Sequence, residues 1–296
     1  MNQFEKIKLM TLNTWLGSSV VKEGISKLVK AVKASGSDIV GFQETPDPGK
    51  ETALKLGWYF HQNQAGLANC SIISKHPIIE GVDIGGVSAV MVKIQLPSGK
   101  VIVVVNTHLY YDPYGPYWAM FNGKTPEEII SMENAIRGAE MAKVLYELSP
   151  YIATDIPVFL MGDFNTPSHL DWNRDMSMIH KGLEIDWPVT LMVEKMGLID
   201  SYRAIHPDPV DSPGYTWSPV HTPEFPWGSN PYEPQDRIDF IFFHGNLKVV
   251  NSNVFFLGKP RGYGSHEDNE WPSDHAAVIS DFHITNSDSR EHDRMF

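Results

Sequence analysis

Gly162-Asp163-Phe164-Asn165 closes the apolar run Pro157-Val158-Phe159-Leu160-Met161, and that stretch decides how the rest of the chain is read. The run is too short for a globular helix and ends in a turn-forming group, so it reads as a buried strand. Asp163 and Asn165 stand two residues apart, which on an extended segment places both side chains on one side. Working outward, Asn106-Thr107-His108-Leu109, Gly41-Phe42-Gln43-Glu44 and Leu12-Asn13-Thr14-Trp15 precede it; Asp236-Arg237-Ile238-Asp239-Phe240 and Ser273-Asp274-His275 follow it. Each adjoins an apolar run and carries Asn, Asp, Glu or His. Oxygen donors with imidazoles at several strand ends imply one site, suited to a hard divalent cation and to phosphoryl transfer.

The bulk properties narrow the class. The chain has 296 residues, 42% hydrophobic and 20% charged, which fits an ordinary globular protein. A single cysteine, Cys70, excludes an internal disulfide and a cysteine-built zinc site. No stretch reaches the roughly 20 continuous apolar residues of a membrane helix, and Met1 to Lys8 lacks the apolar core of a signal peptide. The expected location is therefore cytoplasmic. With 36 acidic against 24 basic residues the net charge is −12. The four lysines between Lys22 and Lys33 fall on the polar face of an expected helix rather than forming a basic stripe. Long polyanionic substrates are disfavoured on that ground.

Periodicity predicts strands over Ile7–Asn13, Asp38–Glu44, Val87–Leu96, Val101–Leu109, Pro157–Met161, Ile238–Phe243, Leu247–Phe256 and Ala276–Ile284. Pro97-Ser98-Gly99-Lys100 is a hairpin turn between two β-branched runs. A helix is expected through Val21, Ile25, Leu28, Val29 and Val32, stopping at Gly36. A second starts at Thr125 with Pro126 next and Glu128 three residues on, a capping box. Its apolar face is read as Ile129, Met132, Ile136 and Ala139, running to about Leu148. A short helix is expected over Val189–Met196, stopped by Gly197. Several strands are apolar on both faces, which implies a sheet covered on both sides. Residues 1–285 read as one domain and 286–296 as a polar tail. The proline-rich stretch Asp208–Pro234 also holds Tyr215, Trp217, Phe225, Trp227 and Tyr232, so it is expected to pack or to function rather than to act as a spacer.

The six signatures together resemble the endonuclease/exonuclease/phosphatase superfamily, the DNase I-like group, over about Lys8 to His283. The resemblance implies a four-layer α/β sandwich, two mixed sheets face to face with helices outside and the site at one rim. It implies Mg2+ or Mn2+ held by Glu44 and Asn13, with Asp274 at a position tied to a second metal or to water orientation. Asp163 and Asn165 are implied to handle the attacking water and the phosphate. Asp239 is expected to orient His275, which then acts either as base or as charge stabiliser. His108 stands where the AP endonucleases carry tyrosine and the DNase-like, sphingomyelinase-like and phosphatase-like members carry histidine; a donor there stabilises a non-bridging oxygen. Asp236 reads either as an acceptor behind the site or as a solvated loop residue. Arg137 reads either as a phosphate contact or as half of a surface salt bridge.

Substrate choice must come from the loops. Tyr110, Trp217 and Trp271 are the candidate substrate contacts alongside Arg137, because aromatic rings near a phosphate site can stack on a base or cage a quaternary ammonium. Together with Asp112 and other acidic loop residues they point to a small or head-group phosphodiester, with no protein partner implied. Pro234-Gln235-Asp236 replaces the Trp-Cys-Asp of the inositol 5-phosphatases, disfavouring that subgroup. The rival readings are a DNase-type nuclease and a non-catalytic scaffold; the scaffold is weakened because every expected site position is occupied.

Overall fold

The computed structural model describes residues 4–45, 47–63 and 69–285; the expected tail at 286–296 lies outside the described residues. The strands are β1 (Phe4–Asn13), β2 (Ile39–Gln43), β3 (Tyr59–Gln62), β4 (Cys70–Ser74), β5 (Ile78–Asp83), β6 (Ser88–Gln95), β7 (Val101–His108), β8 (Val158–Asp163), β9 (Ile199–Asp200), β10 (Asp239–His244), β11 (Leu247–Phe255) and β12 (Ala277–Thr285). They form two six-stranded mixed sheets in the orders β11-β12-β1-β2-β4-β3 and β5-β6-β7-β8-β10-β9. The helical segments are α1 (Trp15–Ser18, a distorted turn), α2 (Gly24–Ser35), α3 (Pro48–Leu56), α4 (Gly115–Met120), α5 (Pro126–Glu133), α6 (Ala139–Ile152), α7 (Pro188–Lys195) and α8 (Ser201–Ile205).

Strand alternation builds the layers. In β7, Ile102 and Val104 face the other sheet and, with Val92, Phe159 and Met161 of their own sheet, share a core with its Leu9 and Phe282. Val103 and Val105 face outward and pack with Val144, Leu148, Val189 and Val193 from α6 and α7. On the other sheet, Met10 and Leu12 of β1 face outward against Leu28 and Val32 of α2. A period of two therefore feeds two cores from one continuous apolar run. The expected four-layer sandwich is the result.

Register then places the signatures. β1 and β2 are parallel with Asn13 opposite Gln43, so Glu44 follows at the same rim. β7 and β8 are parallel with His108 opposite Asp163. β10 runs antiparallel to β8 with Asp239 opposite Asp163. Two glycines make this approach feasible. A Cβ on Gly162, at φ +147°, would lie 1.9 Å from the Thr107 carbonyl oxygen, and one on Gly41 would meet Met161 and the Asn106 amide at 2.7–2.8 Å. Beneath the rim, Asn106 donates to the Phe42 and Ser71 carbonyls and accepts from Gln43 Nε2, which ties the two sheets together.

The helix after His108 departs from expectation. The capping box at Thr125 and Glu128 forms as predicted. A π-helical segment over Asn134–Gly138 then joins α5 to α6. Its wider turn keeps positions four apart aligned, and the buried face is Ile129, Glu133, Arg137 and Met141. Met132 and Ile136 are only half-buried and Ala139 is exposed. The helix also runs past Leu148 to Ile152.

Candidate active site

Asp163, at the end of β8, is the hub. Its Oδ2 accepts from Asn13 Nδ2 at 2.9 Å and lies 3.5 Å from His108 Nε2 and 3.8 Å from His275 Nε2. Its Oδ1 accepts from the Asn165 backbone N–H at 2.9 Å, the local turn that aims Asn165. Asn165 Nδ2 in turn donates to the Leu109 carbonyl. Glu44 accepts from Asn13 Nδ2 at 3.2 Å and from the Leu16 backbone N–H at 2.7 Å. Trp15, Leu16, Glu44 and Asn165 all hold φ between 50° and 55°, in the left-handed region that costs non-glycine residues about 1–3 kcal/mol each. All four line the same cavity.

His275 is fixed from three sides. Its Nδ1 bonds Asp239 Oδ2 at 2.9 Å, its backbone N–H donates to Ser273 Oγ, and its carbonyl accepts from Trp271 Nε1 at 2.6 Å. Burial pulls the imidazole pKa down, but Asp239 and Asp163 outweigh it and push it up to about 10. Burial pushes Asp239 the other way for a carboxyl, upward, while His275 pulls it down. The governing direction is that of His275, because two buried carboxylates share its one proton-bearing ring; the pair sits as imidazolium and carboxylate.

A cavity of about 480 Å³ is lined by Asn13, Glu44, His108, Asp163, Asn165, Asp274 and His275. Tyr111, Tyr114, Tyr117, Trp217 and Trp227 form much of the rest. Asp239 stands behind His275. Among the described lining residues there is no Lys or Arg. A phosphate entering would face Glu44, Asp163 and Asp274 with only imidazoles to offset them, and all three offer oxygen donors without sulfur. That donor set fits a hard divalent cation such as Mg2+. Asp163, Asp239 and His275 also present ligand atoms within 4.8 Å of one another and could hold a metal.

Three expected substrate contacts are elsewhere. Arg137 is fully buried. Its Nε and Nη2 donate to Glu133, and Nη1 and Nη2 donate to the Tyr110 and Pro113 carbonyls. It is neither a phosphate contact nor a surface salt bridge; it pins the loop that follows His108. Tyr110 is half exposed and off the cavity, anchored through its backbone to Glu140 and Arg137, while Tyr111 takes the lining place. Trp271 is wholly buried and holds the His275 carbonyl instead of a substrate. Trp217 does line the cavity. Its backbone pairs with Asp236, which packs the Asp208–Pro234 stretch against the site. Asp236 is an acceptor behind the wall, taking Trp172 Nε1 at 2.9 Å and Tyr114 Oη at 3.1 Å. Burial pushes its pKa up to about 7 against those two donors.

Sequence reading missed three participants. Asn69 Nδ2 donates to His108 Nδ1 at 2.9 Å, which leaves the ring proton on Nε2, facing Asp163. His221 lies with Nε2 3.6 Å from Asp274 Oδ2 and is stacked between Trp217 and Tyr263, centroids 5.2 and 5.1 Å away. Glu233, almost fully buried, accepts from Tyr117 Oη, Trp217 Nε1 and the Trp227 backbone N–H. All three lie outside strand-end signatures, and no local pattern distinguishes them from ordinary loop residues.

The family model described as "Endonuclease/Exonuclease/phosphatase family" matches residues 10–275. An uncharacterized Caenorhabditis elegans protein is 35% identical over 288 residues, covering 93% of this chain and 91% of its own length. Among solved structures, D. rerio TDP2 complexed with single strand DNA product superposes with a TM-score of 0.62 at 14% identity, covering 94% of this chain and 99% of its own. Truncated C. elegans TDP2 gives 0.59 at 18% identity, covering 94% and 97%. The human Nocturnin catalytic domain with bound sulfate anion gives 0.60 at 16% identity, covering 95% and 97%. At these identities the structural likeness speaks for the fold.

Proposed function

The chain belongs to the endonuclease/exonuclease/phosphatase family, whose members hydrolyse phosphoester bonds with the help of divalent metals, and we propose that it is a phosphodiesterase acting on a small or head-group phosphodiester. One observation carries the substrate reading. Carboxylates, imidazoles and aromatic rings together line a cavity of about 480 Å³, with the Trp217 ring 4.9 Å from that of His275, and no described Lys or Arg lines it. That volume suits a small ligand, and the charge suits a single phosphate rather than a run of them.

In this reading Glu44 and Asn13, with Asp274, hold Mg2+ or Mn2+, whose chemistry is to withdraw charge from the phosphoryl oxygens. Asp163 orients the attacking water and accepts its proton; its Oδ2 is already the meeting point of Asn13, His108 and His275. Asn165 holds the phosphate in line with that water. His275, kept protonated by Asp239, balances negative charge growing on the phosphoryl group. His108, with its Nε2 proton directed by Asn69, does the same on a second oxygen.

A panel of bis-p-nitrophenyl phosphate, p-nitrophenyl phosphate, a choline phosphodiester and single-stranded DNA, with Mg2+ or Mn2+ and with EDTA, tests the reading. The diesters should be cleaved fastest, and only with metal. A second reading is a nuclease for single strands, favoured by the aromatic lining and by the likeness to a TDP2 complexed with single strand DNA. Cleavage of the oligonucleotide well above that of both small diesters would decide for it.

A further inference from the structure

Glu233 is a buried acid behind the cavity wall that the proposed reaction does not use. It sits in the loop between Trp227 and Asp236, 1% exposed. Its Oε1 accepts from Tyr117 Oη at 2.6 Å and Trp217 Nε1 at 2.7 Å, and its Oε2 accepts from the Trp227 backbone N–H at 2.8 Å. Tyr117, Trp217 and Trp227 come from two segments about 100 residues apart, and all three line the cavity. One carboxylate therefore holds three aromatic residues of the cavity wall together.

The chemistry of that carboxylate goes further than scaffolding. Burial pushes the Glu233 pKa up, but Trp217 Nε1 on Oε1 and the Trp227 backbone N–H on Oε2 can only donate, and Tyr117 Oη shares Oε1 with the indole, so three hydrogen bonds favour the ionised acid. A phenol O–H and an indole N–H hydrogen-bonded to a carboxylate push electron density into their rings. The faces of Tyr117 and Trp217 become more negative, and negative faces attract cations. Asp112, exposed at the same cavity, adds a carboxylate of the same sign. A neutral or anionic group would gain little from these rings, whereas a quaternary or other organic ammonium would gain from both rings and charge.

We propose that Glu233 is a specificity-determining positioning residue that makes the aromatic lining it holds, Tyr117, Trp217 and Trp227, a receptor for an organic cation carried by the phosphodiester. The proposal rests on the phosphodiesterase reading and names the substrate class of that same site. The phosphate lies among Glu44, Asp163, Asn165 and His275, and the ammonium group lies against Tyr117, Trp217 and Trp227.

The test compares p-nitrophenyl phosphorylcholine with its uncharged isostere, 3,3-dimethylbutyl p-nitrophenyl phosphate, in the intact enzyme and in Glu233→Gln and Glu233→Ala. The two substrates share leaving group and shape and differ in one charge. The wild type should prefer the choline ester by ~10-fold in kcat/KM, the scale of a desolvated cation–π contact, with the difference in KM. Glu233→Gln removes the charge and keeps an acceptor for the two rings, so the ratio should fall to a few-fold. Glu233→Ala should bring it close to one. Should Glu233→Ala fail to fold by circular dichroism, the Gln variant decides. Calorimetric binding of phosphocholine against 3,3-dimethylbutyl phosphate reads the same ratio without turnover. A wild-type ratio near one, or a ratio unchanged by both variants because both substrates suffer equally, overturns the proposal. Absence of metal-dependent cleavage of either ester, with the binding ratio intact, would instead overturn the phosphodiesterase reading and leave the cation site standing.

Discussion

Replacing Asp239 by Asn is the sharpest perturbation of the proposed chemistry, because it removes one charge and almost no volume. Asp239 Oδ2 lies 2.9 Å from His275 Nδ1, with both residues buried. The imidazole stands at about 10 against an ordinary 6.5, a preference for the charged ring of ~5 kcal/mol at 1.36 kcal/mol per unit. Three carboxylates raise it, and Asp239 is the largest contributor among them. Removing it should bring the imidazole pKa down toward its ordinary value, moving the alkaline limb of the pH–rate profile to lower pH, and the rate at neutral pH should fall through the lost orientation of the ring. The range typical of such groups is ~10²–10⁴-fold. Single-turnover rates on bis-p-nitrophenyl phosphate should be measured for Asp239→Asn, His275→Ala and the double variant, with melting curves for each. If the two residues act as one unit, the double variant should be little slower than His275→Ala alone. Independent losses that multiply, or rates that fall only in step with melting temperature, would refute the pairing and return His275 to the status of a packed core histidine.

Other outcomes follow from the same structure. Glu44→Gln should cost activity at least ~10²-fold with a small change in melting temperature, and EDTA should abolish turnover in the wild type; full activity in a chelated, metal-free sample would refute the cation at Glu44 and Asn13. Arg137→Met should lower stability by ~3–5 kcal/mol in urea melts, since it strands the buried Glu133 carboxylate, and Arg137→Met with Glu133→Leu should recover much of that loss. His180 stacks on Trp172 with centroids 3.8 Å apart, and burial pulls its pKa down to about 4. Its folded state resists protonation, so its contribution is full above pH 6.5 and is lost as pH falls from 6.5 to about 4, by up to ~3 kcal/mol. His180→Phe should flatten the melting-temperature profile in that window and leave it unchanged above pH 7.

The amino-acid sequence by itself determined the strand-end signatures, the α/β class and the family. Apolar runs such as Val101–Val105 and Val158–Met161 are long enough and two-sided enough to announce buried strands, and each leads into Asn, Asp or His at the rim of its sheet. Gly36, Gly197 and the Thr125 capping box fixed helix ends for reasons of backbone conformation that need no tertiary context. Short or irregular strands were illegible: β5 has exposed and half-buried residues with no clean alternation, and β3 and β4 are only four and five residues long. The role of Arg137 was decided by tertiary structure. Its burial depends on a π-helical turn and on carbonyls from a loop 24 and 27 residues away, and neither leaves a local mark. The same holds for Asn69, His221 and Glu233. A ligand or proton-shuttling residue at a strand end is placed by the period and register of its own strand, so sequence can find it. A loop residue that orients a ring or an imidazole is placed by contacts between distant segments, and only the folded chain brings those together.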